Sequence, residues 1–152
     1  MPRSPWVDAN TDGRAAGSRP DAAHAAAISS FDASFAQGLL EALVQLQAGT
    51  EAVLLVAYDA HSAGPLAKVS RSEGLLGAAL VLSTTPSHLR TRLRATLVDA
   101  AAPAPHGALA KRLGANAMAP MLPLFQALAA GDDLVSLHAG PTQALRVEIA
   151  HG

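Results

Sequence analysis

The sequence predicts a layered α/β fold, and three observations carry that reading. A helix pattern with very little polar surface runs from near Ser30 to Gly49, and two strands without a single charged residue follow it. Two short strands, one of them strictly alternating, close the chain. Strands that are apolar on both sides of the pleat need cover on both faces, so helices and sheet are expected to stack in layers.

The 152 residues have the size of one domain, and half of them are apolar, enough for a sizeable core. Aromatic residues make up only 3%, so that core is built from Ala, Leu and Val. Eleven basic and twelve acidic residues give a net charge of -1, with no block of either sign. That balance argues against a nucleic-acid partner or an anionic membrane held by charge. The densest basic cluster, Arg90, Arg92 and Arg94, alternates as the solvated face of a strand does. There is no cysteine, which excludes disulfides, thiolate metal sites and thiol nucleophiles together. No apolar run reaches the roughly 20 residues of a membrane span. The start lacks the charged and apolar segments of a secretory signal, so a cytoplasmic location is expected.

Taken in order, residues 1–27 are rich in Pro, Gly, Arg, Asp and Ala without periodicity and read as a disordered leader ahead of a domain over 28–152. Ser30 is placed to cap the following helix, with Asp32 in its first turn. Phe31, Phe35, Leu39, Ala42, Leu43 and Leu46 form one apolar stripe; Ala36, Leu40 and Val44 form a second, and Gly49 ends the helix. "AVLLVAY", 52–58, reads as a strand covered on both faces, and "GLLGAALVLS", 74–83, as another. Over 91–98, Leu93, Ala95 and Leu97 alternate with Arg92, Arg94 and Thr96, as in a half-exposed strand. "AAPAPHG", 101–107, reads as a linker, and 116–130 as a helix interrupted at Pro120 and Pro123 and closed by Gly131. "LVSLHAG" and "QALRVEIA" are two strands joined by a turn at Gly140 and Pro141. The second, with Leu145, Val147 and Ile149 against Arg146 and Glu148, reads as an edge strand.

Residue chemistry alone names no reaction. The histidines, at 24, 61, 88, 106, 138 and 151, contain no pair at metal-binding helical spacing. Asp132 and Asp133 are sequence neighbours after a helix-ending glycine and suit a turn. No Gly-x-Ser-x-Gly elbow and no phosphate loop occurs.

The order of turn, enclosed helix, apolar strand, loop and Gly-led strand resembles the amino-terminal half of a β-ketoacyl synthase, a member of the thiolase-like superfamily. The phrases "DASFAQGLLEAL" and "VLLVAYD" are similar to those of the short ketosynthase-like proteins, some called chain-length factors, of aryl-polyene and polyketide pathways. "SRSEGLLGAALVLS", 70–83, resembles the family's Arg-Asp-Gly-Phe stretch leading into a Gly-rich strand, with Glu73 for the acid and Leu75 for the aromatic. The resemblance is specific over 29–83 and looser over 91–150.

It implies a partial thiolase-like layered α/β fold, with a mixed sheet and a buried central helix. In that family a cysteine opens the buried helix, where amide dipoles lower its pKa. The resemblance puts this position at Ser30, or at Ser29 in a register shifted by one, and puts Gly38, Gly74 and Gly77 around the former site. The family's later catalytic residues, two His or His and Asn, have no match, and "PHGALA" shares only His-Gly. The strands that precede the nucleophile helix in the family are not recognisable, which implies amino-terminal truncation.

The expected function is that of a non-catalytic accessory or chain-length-factor-type partner of a ketosynthase. A ketosynthase and an acyl carrier protein are the implied partners, with no cofactor and no metal. A truncated, non-functional relic is the alternative, and a serine acyl-thioester hydrolase using Ser29 or Ser30 is the minor one.

Overall fold

The computed structural model describes residues 6–10, 25–85 and 91–152. Six strands, β1 (Val7–Asn10), β2 (Ala52–Asp59), β3 (Leu76–Ser83), β4 (Arg92–Val98), β5 (Leu134–Gly140) and β6 (Gln143–Ala150), form one sheet in the order β2-β3-β1-β4-β6-β5. The α/β layering is as expected. Every neighbouring pair of strands is antiparallel, however, where a mixed sheet was expected. The cause is local: β2 with β3, and β5 with β6, are strands consecutive in sequence that pair directly, with no helical crossover between them to turn a strand parallel.

Helix α1 (Ser34–Gln47) and helix α3 (Leu122–Ala130) lie on one face of this sheet. Facing them are Val53, Leu55 and Ala57 of β2, Leu80 and Leu82 of β3, and Val7 and Ala9 of β1. Leu93 and Ala95 of β4, Leu145, Val147 and Ile149 of β6, and Leu137 and Ala139 of β5 complete the inner face. Alternation along each strand sends every second side chain into this single core. Phe35 of α1 meets Phe125 of α3 with ring centroids 5.9 Å apart, which joins the two helices over the sheet. Helix α2 (Gly107–Leu113) sits to one side, where Ala110 packs with Ala119 and Leu122.

Several expectations need correction. The leader contributes Val7–Asn10 as an interior strand between β3 and β4, where Val7 and Ala9 are buried; the rest of residues 1–24 apart from Trp6 lies outside the described residues. β6 is an interior strand between β4 and β5, and the two edges are β2 and β5. The alternation that suggested an edge arises because one face of β6 meets the core while the other is solvated. β2 and β3, expected to be covered on both faces, are covered on one: Leu54, Val56 and Tyr58 are 64%, 55% and 72% exposed. The second stripe of α1 is likewise open, with Val44 exposed and Leu40 only half-buried. α2 begins at Gly107, the last residue of the stretch that reads as a linker, and runs through 108–113, to which the sequence assigns no element. At seven residues it is too short to show a helical period.

Candidate functional site

The turn into α1 is where the sequence placed its degenerate nucleophile. Ser30 does not cap the helix. The helix begins four residues later, at Ser34, with Ala33 at the N-cap and no side-chain cap. Asp32 accordingly lies ahead of the helix, and the first turn carries no acid. The displacement follows from Phe31, whose φ of +47° is left-handed, a conformation costly for a bulky residue and here held by its neighbours.

Ser34 does the holding. Its Oγ accepts a hydrogen bond from the Ser30 N–H at 2.7 Å and donates one to the Phe31 carbonyl at 2.6 Å. The Ala33 N–H bonds the Ser30 carbonyl and the Ser34 N–H bonds the Phe31 carbonyl, both at 3.0 Å. Ser34 therefore spends its hydroxyl on the turn. The left-handed residue three positions earlier explains its use. Ser29 is exposed and Ser30 half-buried. Among the described residues, no histidine or carboxylate side chain hydrogen-bonds to either hydroxyl. Acyl transfer to serine requires a nucleophile paired with a base, and among the described residues no such pair is formed at Ser29 or Ser30.

Beside the turn lies a shallow open groove of about 290 Å³. Asp32, Ser136 and His138 supply its polar groups, and the rings of Pro103, Pro105, Pro120 and Pro123 supply apolar wall. Gln37 of α1 donates to the Ala139 carbonyl at 3.1 Å and fixes the helix against β5 at this end. The structure thus brings His138 and Asp32 to one groove, a juxtaposition of residues distant in sequence that no local pattern announces. Of the other histidines, 61, 106 and 151 are exposed and separate, and 24 and 88 lie outside the described residues. No group of metal-binding side chains occurs among the described residues.

The three glycines have distinct surroundings. Gly38 faces β2, and a Cβ there would meet Leu55 Cδ1 at 3.2 Å, so the helix approaches the strand closely. Gly77 stands opposite Tyr58 on the outer face of the sheet, away from the core. Gly74 has φ +73° and precedes β3, which begins at Leu76. Its carbonyl belongs to a polar knot that sequence reading missed. Asn116, 3% exposed, donates through Nδ2 to the Glu73 carbonyl at 3.1 Å, with the Gly74 and Asp59 carbonyls at 3.5 and 3.4 Å, while its Oδ1 accepts from the Met118 N–H at 2.9 Å. The buried Ser72 hydroxyl accepts from the Ala117 N–H at 3.1 Å, and the Ser72 N–H donates to Ser62 Oγ at 2.9 Å. These bonds satisfy backbone groups that three converging turns would otherwise leave unpaired.

No helix among the described residues is long and apolar enough to cross a membrane. Compared with known proteins, residues 11–143 match the family model described as "Beta-ketoacyl synthase, N-terminal domain". No curated protein and no solved structure matches the chain.

Proposed function

The chain belongs to the β-ketoacyl synthase family through its N-terminal domain, and from that premise we propose that it acts as a non-catalytic accessory subunit of a ketosynthase in fatty-acid or polyketide assembly. The observation that carries the proposal is the turn into α1. The family's chemistry needs a thiolate at the start of this helix, and the chain has no cysteine; the one hydroxyl built into the turn, that of Ser34, is engaged as both donor and acceptor. A scaffold kept without its nucleophile suits a protein that shapes or stabilises a catalytic partner. The chain-length-factor role, the aryl-polyene setting and contact with an acyl carrier protein are the finer form of the same proposal.

Co-expression with the ketosynthase and carrier protein encoded nearest to its gene tests the reading. The expected result is a stable complex, with no acyl-thioester hydrolysis by the chain alone. A ketosynthase that purifies without it, at full activity and unchanged product length, contradicts the accessory role. Hydrolysis that disappears in the Ser29→Ala/Ser30→Ala double variant would favour the serine hydrolase instead. Urea unfolding without a cooperative transition would favour the relic.

A further inference from the structure

We propose that β1 is a detachable strap across the middle of the sheet: it leaves and rejoins as a unit, carrying Trp6, while the two half-sheets beside it stay folded under the helices. The inference stands on the strand pairing and does not depend on the accessory role.

The register shows why the sheet has a seam. β3 ends at Ser83 and β4 begins at Arg92, and both of these residues stand opposite Asp8. β3 therefore stops at the level where β4 starts, and the two strands, on opposite sides of β1, do not pair with each other. On one side of the seam lie β2 and β3, paired without a break from Ala52 opposite Ser83 to Asp59 opposite Leu76. On the other lie β4, β6 and β5, with β4 paired to β6 from Arg92 opposite Ala150 to Val98 opposite Ala144. Among the described residues, only β1 joins these halves within the sheet. Ala9 and Asn10 reach β3, opposite Leu82 and Val81, and Val7 reaches β4, opposite Leu93.

The halves have other means of staying together. α1 packs on both β2 and β5, so the helix layer spans the seam from one sheet edge to the other. Gly38 brings α1 close to Leu55 of β2, and Gln37 donates to the Ala139 carbonyl of β5 at 3.1 Å. β1, by contrast, gives the core only Val7 and Ala9. It is also remote in sequence from the next element, since α1 begins at Ser34. A short strand with few buried side chains opens at lower free energy than the long pairings beside it, and so forms a cooperative unit of its own.

Trp6 is the clasp on the outer face. Its ring lies over the Arg94 and Arg92 guanidinium carbons at 4.4 and 5.7 Å, and both arginines belong to β4, so this cation–π contact is made only while β1 is docked. Release opens a slot one strand wide and turns an interior seam into two sheet edges.

The full chain supplies its own probes. Trp6 is the only tryptophan. The Ala9 N–H, which bonds the Thr91 carbonyl at 3.0 Å, reports β1, and the Ile149 N–H, which bonds the Asp133 carbonyl at 2.8 Å, reports the β5 and β6 half. Trp6 fluorescence should change at lower urea than far-ultraviolet circular dichroism, and the Ala9 amide should be protected at least about tenfold less than that of Ile149. Val7→Ala should lower the Ala9 protection by a further factor of about ten and leave Ile149 unchanged. Opposed Cα atoms in an antiparallel pair lie about 4.5–5.5 Å apart, within the disulfide range of about 4.4–6.8 Å. In a chain with no other cysteine, Asp8→Cys/Ser83→Cys can therefore be oxidised to pin the strap. Oxidation should raise Ala9 protection to that of Ile149 and make the two urea transitions coincide, and reduction should separate them again. Coincident transitions in the unmodified chain overturn the proposal, as does a Val7→Ala variant in which both amides lose protection alike. A pinned strap whose Ala9 amide gains no protection overturns it too.

Discussion

The outer face of the sheet has two halves that differ sharply although their inner faces are alike. On the β4 and β6 side, Arg94 donates through Nε and Nη2 to Glu148 Oε2 at 3.1 and 2.7 Å, and the Trp6 ring lies over the Arg94 and Arg92 guanidinium carbons at 4.4 and 5.7 Å. Those charges are solvated or paired, and one aromatic ring from the segment leading into β1 covers them. On the β2 and β3 side, Leu54, Val56 and Tyr58 stand in the open with Gly77, Ala79 and Val81 across from them. Alternation along β4 and β6 declares a face meant for water, whereas its absence along β2 declares a face meant for cover. The contrast teaches that a strand without alternation keeps an apolar outer face even where, among the described residues, only its inner face is covered.

Substitutions can break that comparison or sharpen it. The largest effect is expected on the shared inner face: Leu82→Ala, at a fully buried position facing α1, should lower stability by about 2–5 kcal/mol in urea unfolding followed by circular dichroism. Next comes Asn116→Ala, which strips the knot beneath Gly74 of its amide and should cost about 1–3 kcal/mol in the same measurement. Arg94→Ala removes both the pairing with Glu148 and the stacking on Trp6; a loss of about 1 kcal/mol is expected. Trp6, the only tryptophan, should report that change by a shift in its fluorescence. The smallest effect belongs to the open half. Leu54→Thr should alter stability by less than about 0.5 kcal/mol while reducing binding of an apolar dye. If Leu54→Thr instead costs as much as Leu82→Ala, the two faces of β2 and β3 are not distinct.

Strands and the main helix were legible because each has a pattern long enough to count. "AVLLVAY", "LVSLHAG" and "QALRVEIA" match β2, β5 and β6 to within a residue, and Pro120 and Pro123 mark a 3-10 turn running into α3. What could not be read was set by distant parts of the chain. β1 is four residues in a Pro- and Gly-rich setting, and it exists because Ser83, Leu82 and Val81 on one side and Leu93 and Arg92 on the other offer it partners. The start of α1 was misplaced because Ser30 is an eligible cap by type, whereas the left-handed turn at Phe31, held by Ser34, delays the helix until after Ala33. The groove was invisible for the same reason, since Asp32 and His138 meet only through the tertiary fold.

Residue-resolved amide exchange along β2, followed by NMR, tests most directly the central claim that this strand is an open sheet edge covered on one face. Because the Thr84 N–H bonds the Glu51 carbonyl and backbone direction alternates along a strand, the account predicts slow exchange at Val53, Leu55 and Ala57, which bond β3, and fast exchange at Leu54, Val56 and Tyr58. Equal protection of all six amides would place β2 inside a completed sheet and contradict the account.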